Sequence, residues 1–187
     1  ISNMIEALKT QNVELANHVI KNDDLIDDME RKIERQCLII VARQQPIGTD
    51  LRDIASILKI VTDLERIGDH CEDISEYVIK LADIELVMPL ERIPVMAEAV
   101  KSMISDTIDA YVRKDLELAK EIITRDDIID KQFYDLVNEL VALMENDSTT
   151  ARACTNYLFI SKYLERMADH ATNIAEWIVY FVTGEIQ

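Results

Sequence analysis

The sequence predicts an all-α protein made of two tandem, sequence-related, antiparallel three-helix bundles. Three observations carry that expectation. Only 3 Gly and 3 Pro occur in 187 residues, too few turn formers for many short strands but enough to punctuate a few long helices. The chain repeats itself. Its apolar residues recur at helical steps of three and four.

The repeat sets the domain plan. Displaced by 103 positions, residues 1–27 overlie 104–130 with 12 identities, among them Asp23, Asp24, Ile26 and Asp27 over Asp126, Asp127, Ile129 and Asp130. Displaced by 100, residues 52–79 overlie 152–179 with 10 identities, densest where Leu64-Glu65-Arg66-Ile67-Gly68-Asp69-His70 meets Leu164-Glu165-Arg166-Met167-Ala168-Asp169-His170. The change of offset puts three extra residues in the first copy, around the helix-breaking Gln44-Gln45-Pro46-Ile47-Gly48. The expected units are 1–88 and 89–187, with a boundary between Met88-Pro89 and Ile93-Pro94.

Three helices are expected in each unit. The first spans about 94–114 in the second copy and 1–10 in the first. Pro94 maps before Ile1, so on the order of ten residues of that helix are expected to lie upstream. The second helix is expected over 12–43 and 116–145, with a kink near the Asp pairs, and the third over 50–83 and 148–183. In the third, Leu64, Ile67, Cys71, Ile74, Val78 and Leu81 form an apolar seam, matched by Leu164, Met167, Ala171, Ile174, Ile178 and Phe181. Short connections make neighbouring helices antiparallel.

Charge narrows the function. Asp and Glu number 36 against 20 Lys and Arg, a formal net charge of −16. Such a chain lacks the basic face that nucleic acid requires, and for the same reason is ill suited to an anionic membrane surface. Cations and basic protein surfaces are its natural partners. No apolar run reaches the ~18 residues of a membrane span. The odd set Cys37, Cys71 and Cys154 contains no CxxC, which argues for buried thiols in a reducing compartment rather than a disulfide framework. P-loop, dinucleotide-binding, HExxH and GxSxG signatures are absent.

The seam leaves the acids on the opposite, exposed face. Glu65 and Asp69 are one turn apart, and Asp73 and Glu76 are read as continuing their line. Glu165, Asp169, Asn173 and Glu176 repeat it, while Asp23 with Asp27 and Asp126 with Asp130 have the same spacing on the second helix. Oxygen donors one turn apart can share a cation; a row without one repels itself. The competing reading is ordinary solvated helix surface, and both stand on spacing alone. Convergence of the rows requires the second and third helices to pack side by side. His70 and His170 read as half-buried helix residues, with metal ligands or supports of the ligands as the alternative; Arg66 and Arg166 read as partners of acids on neighbouring helices, and Arg52 and Arg152 as structural.

Leu64-Glu65-Arg66-Ile67-Gly68-Asp69-His70 and the stretch from Tyr163 to Glu176, with Asp23-Asp24-Leu25-Ile26-Asp27 and Gln45 to Arg52, resemble the paired signatures of the PhoU family. These are phosphate-transport regulators of bacteria and archaea. The resemblance spans essentially the whole chain. It implies two three-helix bundles whose E(D)xxxD motifs, here Glu65/Asp69 and Glu165/Asp169, bind iron or other divalent ions such as zinc, manganese or magnesium. It also implies a cytoplasmic regulator at the inner membrane, held there by its partners: the ATPase subunit of the phosphate ABC transporter and a sensor histidine kinase. A homodimer without nucleic-acid binding or membrane insertion is expected. Asp73 against Asn173 predicts clusters of unequal charge. The chain is thus read as a non-enzymatic signalling adaptor. Its alternatives are a ferritin-like metal-storage protein or metal-dependent enzyme, and the cytoplasmic PhoU-like segment of a sodium-phosphate symporter.

Overall fold

A computed structural model describes residues 1–84 and 92–185. It contains six α-helices: α1 (Ser2–Thr10), α2 (Val13–Gln44), α3 (Thr49–Leu81), α4 (Arg92–Arg113), α5 (Leu116–Asn146) and α6 (Ala151–Thr183). The predicted boundary at Met88-Pro89 lies outside the described residues. No described helix is long and apolar enough to cross a membrane.

The repeat seen in the sequence is repeated in the local geometry. Both α1 and α4 end on a residue forced into the left-handed region, Gln11 at φ 51° and Lys114 at φ 55°, equivalent positions at the 103-residue offset. The next residues, Asn12 and Asp115, cap α2 and α5 by accepting from the backbone N–H of Leu15 and Leu118. The turns after α2 and α5 differ, as the change of offset requires. α2 ends at Gln45 in the left-handed region, and Gly48 at φ 59° opens α3. After α5, Asp147 captures the backbone N–H and hydroxyl of Thr149. That holds Ser148–Thr150 in a 3-10 turn and delays the start of α6 to Ala151, three residues beyond the predicted start. α2 and α5 each run unbroken through their Asp pairs.

In the first unit α2 packs on α3 and α1 touches both; in the second α5 packs on α6 and α4 touches both. The units are joined by α3 against α6, with α1 against α4 beside them. The α3–α6 contact is antiparallel and nearly two-fold symmetric. His70 and His170 meet at 5.5 Å between ring centroids. Asp63 reaches His170 at 2.8 Å, and the equivalent Tyr163 meets His70 at 5.3 Å. Further out, Tyr77 stacks on Phe159 while Lys59 lies over Trp177, again related by exchange of the two copies.

The predicted seams form the core. Ile67, Cys71, Ile74, Val78 and Leu81 are buried, as are Leu164, Met167, Ala171, Ile174, Ile178 and Phe181; Leu64 alone among the seam residues is only half-buried. All three cysteines are free and buried. Arg52 does have a structural place: a Cβ on Gly184, which ends α6 at φ 82°, would collide with its guanidinium. The left-handed turn favours glycine there, while the flexible end of Arg52 could move aside.

Candidate metal centres

α2 and α3 lie side by side, and their acids meet in the groove between them. Carboxylate oxygens of Asp23, Asp27 and Asp69 all lie within 4.8 Å of one another. The second unit brings Asp130, Glu165 and Asp169 together within the same distance. These six side chains belong to residues that are half-buried rather than fully solvated, which corrects the expectation of an outer, exposed face. Packing of the neighbouring helix removes part of their water.

The local sequence makes this approach possible. Gly68 stands one residue before Asp69, and a Cβ there would come within 3.0 Å of Ile26 Cδ1 and 3.3 Å of Asp23 Oδ1. The missing side chain lets α2 close on α3 so that Asp23 reaches Asp69. In the second unit the small Ala168, fully buried, takes the same place. A small residue preceding the Asp in both copies was visible in the sequence but its purpose was not.

Electrostatics mark the same sites. Burial, followed by the charges of Asp69 and Asp27, holds Asp23 above the usual carboxylate range. Burial and then Asp69 raise Glu65. In the second cluster burial and then Glu165 raise Asp169. The largest effect is at Asp126, which burial and the nearby Asp169 and Asp130 charges push up to about 6. Single basic side chains offset part of this. Arg66 donates to Asp69 at 2.9 Å and lies 3.5 Å from Glu65. Lys162 donates to Glu165 at 2.6 Å. Arg66 therefore serves its own helix, not a neighbour as expected; Arg166 lies exposed. Even so, the buried oxygens Glu65 Oε2 and Asp126 Oδ1 have no hydrogen-bond partner. Crowded, partly desolvated carboxylate oxygens with few donors of their own form a set that fits a hard or borderline divalent cation.

Not every predicted ligand joins. Asp73 turns to His70 Nδ1 at 3.2 Å, and exposed Glu76 pairs with Lys80. Asn173 is exposed with its amide 3.4 Å from Asp63, and Glu176 is exposed as well. For Asp73 and Asn173 the reason is helical drift; Glu76 and Glu176 return to within about 20° of the line but lie about 16 Å along the helix from Glu65 and Glu165. Two successive steps of four rotate a side chain by about 80° off its starting line, whereas a four followed by a three returns within about 20°. The row from Glu65 and Asp69 thus continues to Glu72, which the sequence reading passed over. Glu72 lies against Asp23, and burial and that charge raise its pKa. Its counterpart is Thr172, so the clusters do differ, but at Glu72/Thr172 rather than Asp73/Asn173. His70 is buried, and that burial lowers its proton affinity despite Asp73 beside it.

Comparison with known proteins adds the family context. The model of the PhoU domain matches residues 1–78 and 93–178. A Clostridium acetobutylicum protein named phosphate-specific transport system accessory protein PhoU homolog is 42% identical over 186 residues, covering 99% of this chain and 85% of that protein. An Aquifex aeolicus protein of the same name is also 42% identical, covering 100% of this chain and 84% of its own length. Among solved structures, PhoU from Pseudomonas aeruginosa superimposes with a TM-score of 0.96 at 35% identity, covering 98% of this chain and 88% of that one. The phosphate transport system regulatory protein PhoU from Streptococcus pneumoniae gives 0.93 at 33% identity, with 100% and 87% covered.

Proposed function

The chain belongs to the PhoU family, and from that premise we propose that it is a regulatory accessory protein of phosphate transport whose two carboxylate clusters carry divalent metal. The observation that supports this most is the duplication itself. Two clusters of hard oxygen donors recur on corresponding helices and share the equivalents Asp27/Asp130 and Asp69/Asp169, with a small residue before Asp69 and Asp169 and, beside each cluster, a buried oxygen without a hydrogen-bond partner, on Glu65 and on Asp126.

Asp23, Asp27 and Asp69, with Glu65, would hold metal in the first unit. Asp130, Glu165 and Asp169, with Asp126, would hold it in the second. A bound cation would supply charge compensation there and a link between neighbouring helices. The chain's own acids contribute the rest: they determine how much negative charge each groove shows to a partner. The net charge of −16 favours basic docking surfaces. In this proposal the partners are the ATPase subunit of the phosphate ABC transporter and the sensor histidine kinase, met in the cytoplasm at the inner membrane. The chain acts by docking, without catalysis, and lowers uptake and starvation signalling when phosphate is plentiful. Homodimerisation belongs to the same proposal. The ferritin-like alternative calls for ligands in the bundle core, but Met167, Ala171 and Ile174 there are apolar, and the acids lie at the groove.

Metal analysis of protein purified without chelator or affinity metal, followed by calorimetric titration with ferrous, manganous, zinc and magnesium ions, tests the sites. Neither bound metal nor heat with any of these ions would remove metal from the proposal. Deletion of the gene, read with a phosphatase reporter in high phosphate, tests the role: starvation genes stay on if the reading is right, and normal repression refutes it. Repression by the folded variant Glu65→Gln/Asp69→Asn/Glu165→Gln/Asp169→Asn separates regulation from the acid clusters.

A further inference from the structure

The groove between α2 and α3 changes character along its length. One row of α3 runs Leu51, Ala55, Leu58, Thr62, Glu65 and Asp69 in steps of four and three, which keeps these side chains on one face. Its Asp69 end belongs to the first carboxylate cluster. Its Leu51 end is apolar. There the groove has a volume of about 320 Å³ and is lined by Glu34 and Leu38 of α2 and by Leu58, Lys59 and Thr62 of α3. Leu38 is 62% exposed, Leu51 46%, and Ile47, in the turn that joins the helices, 82%. Large apolar side chains left this open at neighbouring positions mark an interaction surface more than single exposed residues do.

The same end is where an acidic chain turns locally basic. Between residues 29 and 59 six Lys and Arg stand against four Asp and Glu, within a net charge of −16 for the whole chain. Arg35 comes three residues before Leu38 and Lys59 directly after Leu58, so the two cations flank the apolar strip. Both are exposed, and neither makes an ion pair among the described residues. Lys59 lies over the ring of Trp177, 5.9 Å from its centroid. The corresponding stretch of the second unit keeps apolar residues, Val141 for Leu38 and Leu158 for Leu58, but has Asn138 in place of Arg35 and Phe159 in place of Lys59. Residues 132–159 there carry one Arg and four acids. Apolar strip and cationic rim therefore coincide in the first unit and not in the second.

We propose that the Leu51 end of the α2–α3 groove docks an acidic amphipathic helix of a partner protein. The apolar stripe of that helix seats between Leu38 and Leu58, and its Asp and Glu side chains pair with Arg35 and Lys59. Leu51 to Thr62 spans about 17 Å, the length of about three helical turns. Charge selects this occupant over others. Two copies of a chain carrying −16 repel each other, and a contact between this patch and the acidic surface of a second copy would be head-to-tail and would not close. An anionic membrane is opposed by the same net charge. The proposal stands on the patch alone, whichever process the partner serves and whether or not the carboxylate clusters hold metal.

The test is fluorescence anisotropy, with chelator present, using a labelled helical peptide of about 14 residues that has Leu at steps of three and four and Glu on both flanks. A second peptide carries Gln in place of each Glu. The Glu peptide should bind about tenfold or more tightly than the Gln peptide, against the overall charge of the chain. Arg35→Glu/Lys59→Glu and Leu38→Asp should each weaken it about tenfold or more. Val141→Asp, at the equivalent place in the second unit, should leave it within about twofold. Circular dichroism checks that each variant folds; all four positions are solvent-facing. No saturable binding up to about 1 mM, equal affinity for the two peptides, or binding untouched by the groove variants overturns the proposal. So does self-association in sedimentation that Leu38→Asp abolishes, which would assign the groove to a second copy. Tighter binding to phosphatidylglycerol vesicles than to the peptide, lost in the same variant, would assign it to a membrane and equally overturns it.

Discussion

In metal-free protein, Asp126→Asn stabilises the fold above pH 6. Burial and the charges of Asp169 and Asp130 raise this carboxyl from 3.8 to about 6. The folded chain therefore holds the proton more tightly than the unfolded chain. Below about pH 4 both states keep it and the group costs nothing; between about pH 4 and 6 the unfolded chain ionises first, and stability is lost. Above about pH 6 the loss is complete and constant. At about 1.4 kcal/mol per tenfold change in proton affinity, such a rise costs about 3 kcal/mol for a sheltered group. Asp126 is only half-buried, and solvent screening reduces the cost to about 1 kcal/mol. The neutral, nearly isosteric amide escapes it. Urea denaturation followed by circular dichroism, with chelator present, should show the variant about 1 kcal/mol more stable at pH 7.5 and gaining about half that at pH 5. With saturating divalent metal the order should reverse, because only the parent carboxylate rewards the cation. A variant less stable than the parent at pH 7.5 without metal, or one with the same gain at both pH values, refutes the reasoning.

Four other outcomes are expected. Ile174→Ala, in the fully buried seam of α6, costs about 2–5 kcal/mol in the same urea assay. Asp115→Ala removes the cap on Leu118 N–H and costs about 1 kcal/mol, with little effect on metal titrations. Asp69→Asn or Asp169→Asn weakens binding at its own cluster in calorimetry by about tenfold or more, whereas Asp73→Asn and Glu76→Gln, which lie off the clusters, stay within about twofold. Gly68→Leu forces α2 away from α3 at Ile26 and Asp23 and selectively weakens the first cluster; metal analysis should then show the second still loaded.

Much of this was legible in the sequence because helices are local. The apolar seams followed from steps of three and four, and the two-unit plan from the repeat. The clustered acids were read as separate pairs on single helices, and Asp23/Asp27 with Asp69 meet. The errors arose where the outcome depends on how one helix faces another. A second step of four took the row to Asp73 instead of Glu72, and a further step of three to Glu76, too far along the helix to reach the cluster. The acids were placed on open surface because nothing in a single helix says how closely its neighbour approaches; that depends on Gly68 and Ala168, whose small size has meaning only against Ile26 and its counterpart. The 3-10 turn before α6 depended on Asp147 capturing Thr149, a short-range contact that competes with a helix start at Ser148.

The antiparallel meeting of α3 and α6 has a consequence for how the two halves change. His70 against His170, with each copy's residue 63 or 163 reaching the other copy's histidine, is the self-complementary contact of an isologous dimer, here closed within one chain. In a dimer of identical subunits every substitution alters both sites at once. Covalent fusion lifts that constraint: one half can be tuned while the other is left alone. Glu72 facing Thr172, Gly68 facing Ala168 and Asp63 facing Tyr163 are substitutions of that sort. A symmetric scaffold thereby carries two non-equivalent carboxylate clusters, with different charge in its two halves.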